Sequence, residues 1–174
     1  NHIHRRNNNK VRARFRLYQI MNKLTKEQSK IISRHLKTAG ESTIGPEVLS
    51  KFKRHWMLDL SRDKIPTPSN KQVLEILSQL YTKKQTQRAL LPNEPAPAAL
   101  SIPDDACHYH ESEEMQRTLT VREMARIQSF PDWYQIKSKV TTGGQMRKFE
   151  VPQYTQIGNA VPPLLGVALG EVCR

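Results

Sequence analysis

The sequence predicts a mainly α fold with a few short strands (α+β), and three observations carry that prediction. Four stretches of the first half place apolar residues three and four positions apart. The segment "LLPNEPAPAALSIPDD", Leu90 to Asp105, holds four prolines and cannot be one helix. Beyond about Thr118 two helical signatures return, the first opened by a threonine and the second by paired prolines.

Each element has its own local reason. Val11, Phe15, Tyr18, Met21 and Leu24 form the first apolar stripe, with Arg12, Arg14 and Arg16 mostly off it. Thr25 and Gln28 stand at capping-box spacing, and Ile31, Ile32, His35 and Leu36 carry that helix to Gly40. Pro46 suits a first helical position ahead of Val48, Leu49, Phe52, Trp56 and Leu60. Ser69 or Asn70 caps a fourth helix bearing Val73, Leu74, Leu77, Leu80 and Tyr81. These stripes read most simply as core. Loops and short strands follow to about Thr118, and no internal repeat is evident.

In "RTLTVREMARIQSFPDWY", Thr120 caps a short helix and Glu123 reaches back to its amide. Leu119 and Met124 are spaced as a hydrophobic staple, Arg122 and Arg126 share one face, and Phe130-Pro131 ends the helix. Near the C-terminus, Gly158-Asn159-Ala160-Val161 reads as a small-residue turn where backbone can come close to a ligand. Pro162 and Pro163 lack amide hydrogens and fit the first turn of a last helix. That helix is apolar on all sides and calls for burial on more than one. Local physics is equally satisfied by a tight turn into a core helix.

Composition narrows the function. Hydrophobic residues make up 37% and aromatics 6% of 174 residues, below the roughly 45–50% apolar content of ordinary domains. One modest core fits, to be completed by a partner surface or by a missing remainder of the protein. Residues 1–90 carry 20 Lys and Arg against 6 Asp and Glu, a balance of +14; residues 91–174 carry 8 against 10, a balance of −2. Such a polycationic half attracts phosphate backbones by counterion release. No apolar run approaches a spanning helix and no signal-peptide pattern opens the chain, so a membrane is not an expected partner. Two cysteines make no disulfide framework, and Cys107, His108 and His110 lack a second ligand pair for a metal. A reducing cytoplasm fits this usage.

"RTLTVREMARIQSFPD" followed by "YTQIGNAVPPLLG" strongly resembles the last two conserved blocks of the DNA cytosine-5 methyltransferases, over Arg117–Asp132 and Tyr154–Gly166. "SIPDDACHYH" and "TTGGQMRKFEVPQ" are similar to connecting segments in that family, and "NHIHRRNNNKVRARFRLY" to the stretch after its central catalytic region. The resemblance implies that a cytosine is flipped out of double-stranded DNA. A Pro-Cys thiolate attacks C6, a glutamate assists at N3, and C5 takes a methyl group from S-adenosyl-L-methionine.

No Pro-Cys occurs in this sequence: Cys107 follows Ala106 and Cys173 follows Val172. Glu-Asn-Val and a Phe-x-Gly-x-Gly strand end are absent too. The resemblance therefore implies the C-terminal portion of such an enzyme, with its α/β (Rossmann-like) cofactor domain largely outside this chain. On that view residues 1–90 are a basic helical region and 91–118 the loop and short-strand part of the target-recognition segment. Residues 119–174 hold the conserved blocks, with the final helix completing the cofactor domain.

The chain alone is expected to be inactive and to carry no catalytic residue. Asn159 and Ala160 are implied at the cofactor, and Arg12, Arg14, Arg16, Ser101, Arg117 and Arg122 at DNA. The family's recognition-segment Thr, followed by Leu, Ile or Val, has its nearest counterpart in Ala99-Leu100, with Ser101 as a substitute hydroxyl. The partner expected besides DNA is the N-terminal catalytic part, in the same or a separate chain, working on the nucleoid in the cytoplasm. The competing readings are a non-catalytic DNA-binding module derived from such an enzyme, and a helical RNA-binding protein, which leaves both motifs unexplained.

Overall fold

A computed structural model describes residues 1–38, 42–60, 68–82, 87–97, 106–107, 116–141 and 149–174, with backbone alone at 57–60 and 106–107. Among them are seven helices and two two-residue strands, the mainly α fold with short strands that the sequence predicts.

Helix α1 (Asn9–Met21) starts at Asn8, whose side chain accepts the Val11 amide, a cap hidden in an asparagine run. Leu17, Tyr18, Gln19 and Ile20 are buried in succession, because α1 is enclosed on several sides. Its neighbours are α2 (Lys26–Lys37), α3 (Pro46–Leu60) and the strand β1 (Arg88–Ala89). The Thr25 and Gln28 side chains close the predicted capping box of α2. Ser69, not Asn70, caps α4 (Asn70–Gln79) and forms a box with Gln72. Phe15, Ile32, Phe52, Val73 and Leu77 lie at the heart of this first core. Strand β1 pairs in parallel with β2 (Ala106–Cys107), Arg88 opposite Ala106 and Ala89 opposite Cys107.

A second, smaller core forms around α5 (Val121–Ile127) and α6 (Gln153–Asn159). The predicted staple residues Leu119 and Met124 are both buried in it, beside Val121, Ala125, Ile136, Tyr154 and Ile157. Glu150 ties the segment between the two helices by accepting from Ser138 Oγ and the Lys139 amide. Helix α6 differs from the sequence reading, which put Gly158–Val161 in a turn. Tyr154 and Ile157, three apart and both buried, propagate the helix through Asn159, and the chain leaves helical geometry at Ala160.

The residues just ahead of α1 link the cores: Asn1 Nδ2 donates to the Ile136 carbonyl, and His2 Nδ1 meets Thr120 Oγ1, so the first two residues of the chain bind the second core. Helix α7 (Pro163–Val172) stands apart: none of its residues is buried.

Candidate functional site

The site is built on α5. Thr120 Oγ1 accepts the Glu123 amide, and Glu123 Oε2 accepts the Thr120 amide at 2.7 Å. The same carboxylate takes both Arg117 nitrogens, Nη1 at 2.7 Å and Nη2 at 2.8 Å. Arg117 is 9% exposed, and its Nη1 also donates to the Thr118 carbonyl. The hydrogen bond to Glu123 outweighs burial and raises the guanidinium above its ordinary value. Tyr154 donates its hydroxyl to the Leu119 carbonyl, and burial raises that phenol. His2 Nδ1 meets Thr120 Oγ1 at 2.9 Å.

The other face of α5 holds the turn that follows it. Arg122 donates to the Pro131 and Tyr134 carbonyls and to Asn1 Oδ1. Arg126 pairs bidentately with Asp132 at 2.8 and 2.9 Å. That hydrogen bond is the leading cause holding the Asp132 carboxyl below its usual range. The turn so fixed presents Trp133, 79% exposed, beside Tyr134.

At its C-terminal end α5 reaches the last two helices. Gln128 Nε2 donates to the Ile157 carbonyl at 3.2 Å, and Ser129 Oγ accepts the Leu164 amide at 3.1 Å. Between Ile157 and Leu164 lie the implied cofactor residues. Asn159 is exposed, makes no side-chain hydrogen bond to another described residue, and is followed by half-buried Ala160.

Of the arginines expected at DNA, Arg12 and Arg16 stand four apart on α1 and share one side of it. Residues two apart on a helix project to nearly opposite sides, so Arg14 is separated from Arg12 and Arg16. Arg12 is exposed, whereas Arg14 donates to the Leu80 and Tyr81 carbonyls at the end of α4, each at 3.1 Å. Arg16 donates to Gln19 Oε1. Arg117 and Arg122 are held against the protein as described above. Ser101, with the Cys107, His108 and His110 side chains, lies outside the described residues. Among the described residues no cluster of metal-ligating side chains occurs. The contacts of Gln128 and Ser129 have no sequence signal, because their partners lie 29 and 35 residues away.

The chain matches the C-5 cytosine-specific DNA methylase family over residues 2–174, and it belongs to that family. Type II methyltransferase M.AquIB of Picosynechococcus sp. is 32% identical over 139 residues, 79% of this chain and 86% of that protein. Type II methyltransferase M.BsuRI of Bacillus subtilis is 41% identical over 70 residues, 40% of this chain and 16% of that protein. Type II methyltransferase M.DdeI of Desulfomicrobium norvegicum is 56% identical over 55 residues, 32% of this chain and 13% of that protein. Against the last two, then, the chain spans under a fifth of the relative's length. No solved structure matches it significantly.

Proposed function

We propose that this chain is the C-terminal region of a DNA (cytosine-5)-methyltransferase, contributing DNA recognition and one edge of the S-adenosyl-L-methionine site. The observation that carries the reading is α7. Its large apolar side chains are 50–85% exposed, yet the helix is already formed and capped by Ser129. A helix apolar on every side needs a surface to cover it. The α/β cofactor domain of the family, largely outside this chain, is the surface we assign to it.

Asn159 and Ala160 fit the edge of a cofactor site. The Asn159 amide carries donors and an acceptor not engaged by described neighbours, and Ala160 leaves room beside it. When bound, S-adenosyl-L-methionine supplies the methyl group. On this reading Asn159 orients its polar end, and α7 closes the wall behind.

DNA is drawn to the basic helical region, where Arg12 is exposed. Arg14, Arg117 and Arg122 support recognition by holding the elements in register. M.AquIB supports a two-chain arrangement, since 139 aligned residues cover 86% of that type II methyltransferase and 79% of this chain. The catalytic Pro-Cys then resides in an N-terminal part, in the same or a separate chain. The assembly serves as the modification half of a restriction–modification system, on nucleoid DNA in the cytoplasm.

The test is methyl transfer from labelled cofactor to duplex DNA. The purified 174-residue chain should transfer nothing. Mixed with its N-terminal complement it should transfer to cytosine C5. Transfer by the chain alone overturns the reading. A mixture that binds DNA without transfer points instead to a non-catalytic DNA-binding module.

A further inference from the structure

Helix α7 begins without the means to cap itself. Its N-cap residue is Pro162, which has no side-chain acceptor, and its first residue is Pro163, which has no amide hydrogen. The first amide donor is therefore that of Leu164, and Ser129 Oγ accepts it from 35 residues earlier in the chain. Ser129 does for α7 what an N-cap side chain does elsewhere.

Its own backbone is a second observation. Ser129 has φ 61°, in the left-handed region, directly after the last turn of α5. Glycine is the residue that relaxes there, so a serine is kept in a conformation its Cβ disfavours. What serine has and glycine lacks is the hydroxyl that meets Leu164. Its neighbour Gln128 holds the Ile157 carbonyl, and the two grips bracket residues 158–163.

We infer that Ser129 is a positioning residue for the cofactor edge: through Leu164 it sets how the segment bearing Asn159 and Ala160 is presented. The inference rests on the proposed assignment of Asn159 and Ala160 to the cofactor. A mere helix-ending role makes the opposite prediction at one substitution. Ser129→Gly relieves the backbone, so a helix-ending residue would gain stability and leave ligand binding alone. Ser129→Asn tolerates the left-handed conformation and retains an acceptor oxygen.

The experiment compares the native chain, Ser129→Gly, Ser129→Asn and Asn159→Ala. Amide hydrogen exchange at Leu164 is measured in the full chain, and S-adenosyl-L-methionine affinity by calorimetry after assembly with the N-terminal complement. Ser129→Gly should speed Leu164 exchange without lowering the thermal midpoint, and weaken cofactor binding roughly three- to tenfold, the loss of one hydrogen bond. Ser129→Asn should stay near the native values. Unchanged Leu164 exchange in Ser129→Gly overturns the inference. So does unchanged cofactor affinity in Ser129→Gly when Asn159→Ala weakens it, an outcome that leaves the cofactor-edge assignment standing. If neither substitution moves cofactor affinity, that assignment fails and the inference falls with it.

Discussion

At the scale of single residues, the Glu123 carboxylate is where backbone capping and charge meet. It accepts the Thr120 amide and both Arg117 nitrogens, so Glu123→Ala removes a cap and strands an almost buried guanidinium. One-sided loss of a fully buried pair costs about 3–5 kcal/mol. Here the Glu123 side chain is 20% exposed, so the expected loss is about 2–3 kcal/mol, read from urea unfolding of the full chain. Arg117→Lys should not preserve the pair, since an ammonium cannot span both carboxylate oxygens. A loss below about 0.5 kcal/mol for Glu123→Ala would show that the pair is not holding α5. The Arg126–Asp132 pair is exposed, and its signature is pH rather than stability. The Asp132 carboxyl is held below its usual range, so its contribution is complete above the ordinary aspartate value and is lost as pH falls through the lowered one. Trp133, next in sequence and exposed, reports the change. Its emission should shift on acidification below the ordinary carboxylate range. In Asp132→Asn the shifted emission should already be present at neutral pH.

Among the elements, what was legible in the sequence was what is local. The capping boxes at Thr25 and Thr120 need partners three residues on, so spacing alone reveals them, and the apolar stripes of α2, α3 and α4 follow from helical periodicity. Helix α6 was not legible, because Gly158-Asn159 has the texture of a turn and only burial of Tyr154 and Ile157 carries the helix through it. The direction of Arg14 was equally hidden: its carbonyl partners lie 66 and 67 residues away. Helix α7 separates the two kinds of information. Its diproline start and apolar run are local, whereas no described residue buries its apolar side chains, and the surface proposed to cover it has no local signal. Leu165→Lys therefore has an expected outcome in two parts. Leu165 is half-exposed, so the chain alone should unfold within about 0.5 kcal/mol of the native one, as for an ordinary surface change. Assembly with the N-terminal complement should be lost in a pull-down, because a charge would enter an apolar interface. A marked destabilisation of the isolated chain would mean that α7 packs on the chain itself.

For the whole molecule, two surfaces governed by different physics are expected to work together. Residues 1–90 carry a balance of +14, and in α3 the positive field is dense enough that Lys23 and Arg54, after burial, help hold His55 below its ordinary value. Binding of DNA to such a surface releases condensed counterions and falls steeply with salt, by about 10³–10⁵ between 50 and 200 mM for six to ten phosphate contacts. The proposed docking of α7 would depend on burying its exposed apolar side chains, which salt does not screen and which sulfate strengthens. Ionic strength should therefore separate the two proposed functions in one preparation. Raising sodium chloride from about 50 to 200 mM should lower DNA affinity by two or more orders of magnitude in fluorescence anisotropy. Over the same range the complex with the N-terminal complement should keep its mass in sedimentation, and sodium sulfate should tighten it. Charge reversal at Arg12 should reduce the salt slope by about one unit and weaken binding to all DNA sequences alike, because a phosphate contact positions without specifying. Parallel loss of DNA binding and of the complex with rising salt would mean that the two parts meet through charge, and α7 would then no longer be the contact that joins them.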